Sequence, residues 1–363
     1  MWVYVGTYTA AEPYARGRAE GIYAYRLDPD SGALTRAFTL PGVVNPSYLA
    51  VAPDGRALYA VNEAPEFEGQ AGGGVSAFAR DPASGRLTAL DRQPSHGTDP
   101  CYVSVDHSGR VALVANYTSG SVAAYPLGAD RGLGAATSVH QHAGSGPNPK
   151  RQAGPHAHSI QPDPTNRFAL AADLGLDRVL VYRLDPARGT LEPDDPPAAA
   201  LPPGSGPRHL AFHPDGRHVY VIGELDSTLT ACIWDAERGT LEPFQTVSTL
   251  PAGFAGVNSC ADVHVAPSGR FVYGSNRGHD SVAVFAVDQA TGALEPAGHT
   301  PTGGRTPRNF AITPSGAFLL AANQDTDSVV TFRLDGATGQ LASTGQVTSV
   351  PSPVCLTLVP DAR

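Results

Sequence analysis

Gly206-Pro207-Arg208-His209-Leu210-Ala211-Phe212-His213-Pro214-Asp215-Gly216-Arg217-His218-Val219-Tyr220-Val221-Ile222-Gly223-Glu224 reads as two short apolar strands around a tight Pro-Asp-Gly-Arg turn. A hairpin returns its two outer ends to one edge. Arg208 and Glu224 are therefore expected at the same end of the molecule. The first strand of this unit recurs at 47–55, 101–109, 156–163, 208–216, 261–269, 308–316 and 354–361. Proline stands just before six of the seven copies, at Pro46, Pro100, Pro155, Pro207, Pro307 and Pro353. There it pre-sets an extended entry and needs no ladder partner.

A second landmark repeats with the same period of about fifty residues. Ser31-Gly32-Ala33-Leu34, Ser84-Gly85-Arg86-Leu87, Arg188-Gly189-Thr190-Leu191, Arg238-Gly239-Thr240-Leu241, Thr291-Gly292-Ala293-Leu294 and Thr338-Gly339-Gln340-Leu341 each turn into the last strand of a unit. Second strands such as Val219-Tyr220-Val221-Ile222 are apolar on both faces, which fits sheets packed on each side. Each unit is four short antiparallel strands, and such units arranged radially make an all-β propeller. Seven first strands predict seven blades in a single domain over 1–363. The chain starts on a second strand (2–5) and ends on a lone first strand (354–358). Its ends are expected to share one blade and close the ring.

Forty Gly and 33 Pro beside 41% hydrophobic residues describe many strands and many turns rather than disorder. A net charge of −9 excludes a general nucleic-acid binder, which needs a basic surface. Of the 25 basic residues only Lys150 is a lysine, leaving cationic work to Arg, which grips carboxylate and phosphate in a bidentate manner. No apolar run is long enough to span a bilayer, so no membrane role is expected. The first residues enter a strand pattern without a signal-peptide pattern. The four cysteines, Cys101, Cys232, Cys260 and Cys355, lie in or beside apolar strands with no disulfide or CxxC spacing. The expectation is buried free thiols in a reducing cytoplasm. Oligomeric state is not legible.

The variable positions carry the functional signal. First-strand starts are Ser47, Cys101, His156, Arg208, Ala261, Arg308 and Val354; second-strand ends are Thr7, Glu63, Tyr117, Leu174, Glu224, Arg277 and Gln324. Asn276 and Asn323 sit beside two of them. In a propeller these positions ring the channel mouth, so His156, Arg208, Glu224, Arg277 and Arg308 are expected to cluster there with Glu63 opposite. The segment 131–155, rich in Gly, Pro and His, is expected to cover the site. His140, His142, His156 and His158 are the candidates for a metal centre, but no carboxylate or Cys stands at ligand spacing except Asp173, and no metal or other cofactor is expected. His209, His213 and His218 read as packing or surface residues.

Met1-Trp2-Val3-Tyr4-Val5-Gly6-Thr7-Tyr8, Gly154-Pro155-His156-Ala157-His158-Ser159, Gly206-Pro207-Arg208-His209 and Ser275-Asn276-Arg277-Gly278 together resemble the seven-bladed propeller lactonases. These include bacterial propeller-type 6-phosphogluconolactonases and fungal carboxymuconate-lactonizing enzymes. The resemblance runs over essentially the whole chain. It implies a catalytic set of His156, Arg208, Glu224 and Arg277, with Glu224 or His156 as general base and the arginines stabilising an oxyanion. Arg308 is expected to hold a phosphate, with Glu63, Asn276, Asn323 and His158 as further substrate contacts. The implied reaction is hydrolysis of a small anionic lactone, foremost 6-phospho-D-glucono-1,5-lactone. Cycloisomerisation of a carboxylated muconate and a non-catalytic protein-binding platform are the alternatives.

Overall fold

The structure, a computed structural model, describes residues 1–12 and 15–361. Seven four-stranded antiparallel sheets form the blades of a propeller. Blade 5 is representative: Pro207–Phe212, His218–Gly223, Thr228–Asp235 and Thr240–Ser248 pair in sequence order. Blade 1 differs as expected. Pro353–Val359 pairs with Trp2–Thr7, which continues to Gly21–Leu27 and Leu34–Pro41. The first strands of successive blades touch one another around the whole ring, the last of them meeting that of blade 2. They are therefore the innermost strands.

The core is seven large clusters, one between each pair of neighbouring blades, with Tyr8 and Val354 forming a small eighth within blade 1. This is why second strands are apolar on both faces. Val219 and Val221 face blade 4, whereas Tyr220 and Ile222 face blade 6. The recurring turn glycine has a tight role in this packing. Gly339 has φ +74°, and a Cβ there would lie 2.4 Å from the ring of Phe271 on the preceding blade. A side chain would be strained by the backbone and blocked by the aromatic.

Strand pairing corrects two of the expected positions. In blade 4 the first strand is Ala157–Pro162, and Ala157 pairs with Asp173 as Pro207 pairs with Gly223 in blade 5. His158, not His156, is thus the counterpart of Arg208 and of Cys101. Pro155 mimics the recurrent entry proline but lies two residues early, ahead of the strand. In blade 1, Thr7 pairs with Pro353 and so stands level with Gly223 and Asn116, one residue before the mouth position; Tyr8 is the residue equivalent to Glu63 and Tyr117. The segment 131–155 also contains a strand, Ser138–Gln141, the outermost of blade 3.

Candidate active site

A cavity of about 350 Å³ opens at the channel mouth, lined by Glu63, Cys101, Tyr117, Arg151, His158, Glu224, Ser259, Arg277 and Arg308. Its volume suits a small ligand. These residues come from first-strand starts and second-strand ends of blades 2 to 7, plus Arg151 from the loop leading into blade 4. The repeat therefore gathers them by construction: equivalent positions on a closed ring face one axis.

Glu224 organises the arginines. Its Oε2 accepts from Arg208 Nε and Arg277 Nη2, both at 2.9 Å, and its Oε1 accepts from Arg151 Nη2 at 2.6 Å. Burial by itself would raise this carboxyl, but Arg277, Arg208 and Arg151 outweigh burial and hold it far below the ordinary carboxylate range. Glu224 is therefore a fixed anion with both oxygens engaged by guanidiniums, and a poor proton acceptor.

Arg208 is buried, and its Nη1 donates to the carbonyl of Ala261 and toward His209 Nε2 at 3.3 Å. His209 Nδ1 in turn faces Asp262 Oδ1 at 2.8 Å. Burial and the Arg208 charge pull His209 down to about 4, so the ring is neutral at physiological pH. Its proton sits on Nδ1 toward Asp262, leaving the Nε2 lone pair for Arg208. Arg208 is thereby fixed on three sides, and it lies outside the cavity lining as a buried positive charge beside Glu224.

Arg277 donates to the carbonyl of Cys260 at 2.7 Å as well as to Glu224. Burial brings it down to about 10, with Glu224 opposing and Arg208 and Arg308 adding to the drop. It remains charged at neutral pH, and its buried Nε has no partner among the described residues. Arg308 donates to Tyr8 Oη at 3.0 Å, and that hydroxyl bonds both oxygens of Glu63 at 2.9 and 3.0 Å. Burial disfavours the Arg308 charge, but Tyr8, Glu63 and Glu224 more than reverse this. Four guanidiniums and two carboxylates thus converge, an arrangement suited to a small anion.

His158 lines the cavity with Cys101 Sγ 3.5 Å from its Nδ1. Burial, then Arg208, His209 and Arg308, keep it well below the usual imidazole range, so it is neutral. His156 is outside the cavity lining. It stacks on Tyr117 with ring centroids 4.7 Å apart, and its Nδ1 bonds the Tyr117 carbonyl at 3.0 Å.

Asn276 and Asn323 are also outside the lining. Asn276 is fully buried and donates to the carbonyl of Thr249 at 2.9 Å, while Asn323 donates to that of Thr302 at 3.2 Å. Both staple a second strand to the loop that enters their own blade. The four histidines weighed for metal do not converge. His140 bonds the Leu191 carbonyl at 2.9 Å, and His142 bridges Asp173 and Tyr182 at 2.6 and 2.9 Å.

Arg151, Tyr8 and Ser259 were missed in the sequence. Arg151 had a signal, since it lies in the long loop expected over the site. Tyr8 had one in the repeat register, which places it level with Glu63. Ser259 had none. A cavity of similar size, about 360 Å³, lies between blades 1 and 2 around Leu40, Val43, Phe67 and Phe78. Its wall is mainly apolar and carries one guanidinium, Arg92, so it gathers no comparable anion-binding set.

The family model described as "Lactonase, 7-bladed beta-propeller" matches residues 2–358. The 6-phosphogluconolactonase of Bacillus subtilis (strain 168) is 39% identical over 309 residues, covering 85% of this chain and 84% of that protein. The protein of the same name from Formosa agariphila is 32% identical over 314 residues, covering 85% and 86%. Among solved structures, the periplasmic gluconolactonase of Pseudomonas aeruginosa superposes with a TM-score of 0.92 at 38% identity, covering 99% of both chains.

Proposed function

Since the chain belongs to the seven-bladed β-propeller lactonase family, we propose that it hydrolyses 6-phospho-D-glucono-1,5-lactone to 6-phosphogluconate at the channel mouth. The observation that carries this reading is the convergence of Arg151, Arg277 and Arg308 on the lining of one cavity, where Glu224 tethers Arg151 and Arg277 together with the buried Arg208. Such a site selects a small substrate with a phosphate or carboxylate. The relatives named 6-phosphogluconolactonase make the phosphorylated sugar lactone the first choice. We assign the enzyme to the cytoplasm on its free, buried cysteines.

The residues take the following roles. Arg308 and Arg151 hold the phosphate. Arg277 lies over the lactone carbonyl and stabilises the oxyanion that forms when water attacks. His158 accepts the water's proton, and returns it to the ring oxygen as the carbon–oxygen bond breaks. The charges of Arg208 and Arg308 help to keep His158 neutral in the free enzyme. A bound phosphate offsets those charges, so the imidazole becomes a stronger base once substrate is seated. Glu224 holds the guanidiniums in place, and His156 supports Tyr117.

The test is hydrolysis of 6-phosphogluconolactone measured against its spontaneous loss, with 3-carboxymuconate consumption followed in parallel. His158→Asn is expected to reduce turnover about a hundredfold, within the usual range for a general base. His156→Ala is expected to reduce it severalfold at most. The reverse order would restore His156 as the base. The kcat/KM of the wild type should hold as pH falls through the ordinary imidazole value of 6.5 and drop only below it, because the base form of His158 is retained down to its lowered value.

A further inference from the structure

We propose that the turn between the first two strands of blade 5 is a binding site for a divalent transition-metal ion of the zinc, cobalt or nickel class, held by His213, Asp215 and His218. The Nδ1 atoms of His213 and His218 lie 3.0 and 2.7 Å from the same carboxylate oxygen, Asp215 Oδ2. All three ligand atoms fall within 4.8 Å of one another, and no other such group of His, Cys, Asp or Glu occurs among the described residues. Asp215 is about one-third exposed, which leaves the ion a route in from solvent.

The hydrogen bonds favour a cation at this point. His213 Nε2 faces the carbonyl of Gly269 on blade 6 at 2.8 Å, and only an N–H can donate there. In the neutral ring that fixes the proton on Nε2 and turns the Nδ1 lone pair toward Asp215. The backbone N–H of Asp215, 3.2 Å away, also points at that lone pair. A lone pair 3.0 Å from a carboxylate oxygen is repulsive unless a proton or a metal ion lies between them. A backbone carbonyl on the far nitrogen is also the usual means of orienting an imidazole ligand. Two imidazoles and one carboxylate with an open side match the donor preference of zinc and its neighbours.

The other blades act as internal controls. At the position of His213, blades 3 and 4 carry Asp106 and Asp163, whose carboxylates accept turn N–H groups. Blades 6 and 7 carry Ala266 and Thr313 there. At the position of His218, blades 1, 4, 6 and 7 carry Trp2, Phe168, Phe271 and Phe318, each opening its second strand. Blades 2 and 3 carry Ala57 and Val111 at the second place, so the architecture is met by an acceptor or a small residue at the first and an apolar residue at the second. Only blade 5 has imidazoles at both, with an Asp between them.

The turn is five residues along the strand from Arg208, about 17 Å from the mouth at the usual strand rise. The ion is therefore structural. It displaces the proton that His218 shares with Asp215 and, through His213 and Gly269, ties the turn to blade 6. This inference is independent of the reaction proposed above.

The experiment is calorimetric titration of the metal-stripped full chain with Zn²⁺, together with the visible absorption of added Co²⁺. One equivalent is expected to bind, with a Co²⁺ spectrum of a nitrogen–oxygen site and a raised thermal midpoint. His218→Ala, and separately Asp215→Asn, which keeps the turn geometry, should each weaken binding about tenfold or more. Lactone hydrolysis should be the same with and without metal. Absence of saturable one-to-one binding in the wild type, or unchanged affinity in both folded variants, would overturn the proposal and leave a triad held by protons alone.

Discussion

Glu224→Gln is expected to lower lactone hydrolysis about a hundredfold or more, the scale seen when a preorganised charge-stabilising group is lost. The same change should destabilise the fold by about 3–5 kcal/mol, the usual cost of removing one partner from a buried ion pair. The reason is that Glu224 is the common acceptor for Arg208, Arg277 and Arg151. Glutamine preserves the shape but leaves Arg208, only 2% exposed, without its counter-charge. Turnover should suffer more than substrate affinity, because Arg308 keeps its own anchor on Tyr8. The stability difference has a definite pH dependence. Glu224 has a lowered folded value, so its contribution is full above its ordinary value of 4.5 and is lost as pH falls through the lowered one. Denaturant melts of both proteins at neutral and acid pH measure this. A gap that persists unchanged in acid, or wild-type turnover in a folded variant, would show that Glu224 does not gather the guanidiniums.

Deleting the chain from residue 353 onward is expected to abolish cooperative folding. Pro353–Val359 is the innermost strand of blade 1 and pairs with all of Trp2–Thr7. Its Leu356 packs into the interface between blades 7 and 1, while Cys355 and Val359 pack into that between blades 1 and 2. Its loss opens both interfaces, leaves Asn309 Oδ1 without the Leu356 N–H at 2.7 Å, and bares a strand edge. Deleting only residues 361–363 should act far more mildly. The contacts of Asp361 to the N-terminus and Arg26, at 2.9 and 2.5 Å, lie on the exposed surface. Calorimetry of the two truncations separates these cases. A sharp, near-native transition in the longer deletion would show that the blade closes without its inner strand.

The sequence by itself determined the architecture, because the propeller is written as a period. Seven first strands, the recurrent turn glycine and second strands apolar on both faces are local signals repeated often enough to outweigh any local ambiguity. The variable positions of the same repeat picked out the arginines and Glu224, and the resemblance then gave them catalytic roles. Blade 4 was legible only to within two residues: Pro155 imitates the entry proline, and strand pairing alone reveals that His158 stands level with Arg208. The roles of individual polar groups belonged wholly to the tertiary structure. A buried Asn beside the mouth reads as a substrate contact until its amide is found on a loop carbonyl, as for Asn276 and Thr249. Arg151 enters the site from a loop with no periodicity to place it. Glu224 looks like a base until three guanidiniums are seen on its two oxygens. The physical reason is the same in each case. Strand and turn formation depend on neighbours in sequence, whereas protonation and hydrogen-bond commitment depend on charges and carbonyls brought together from different blades.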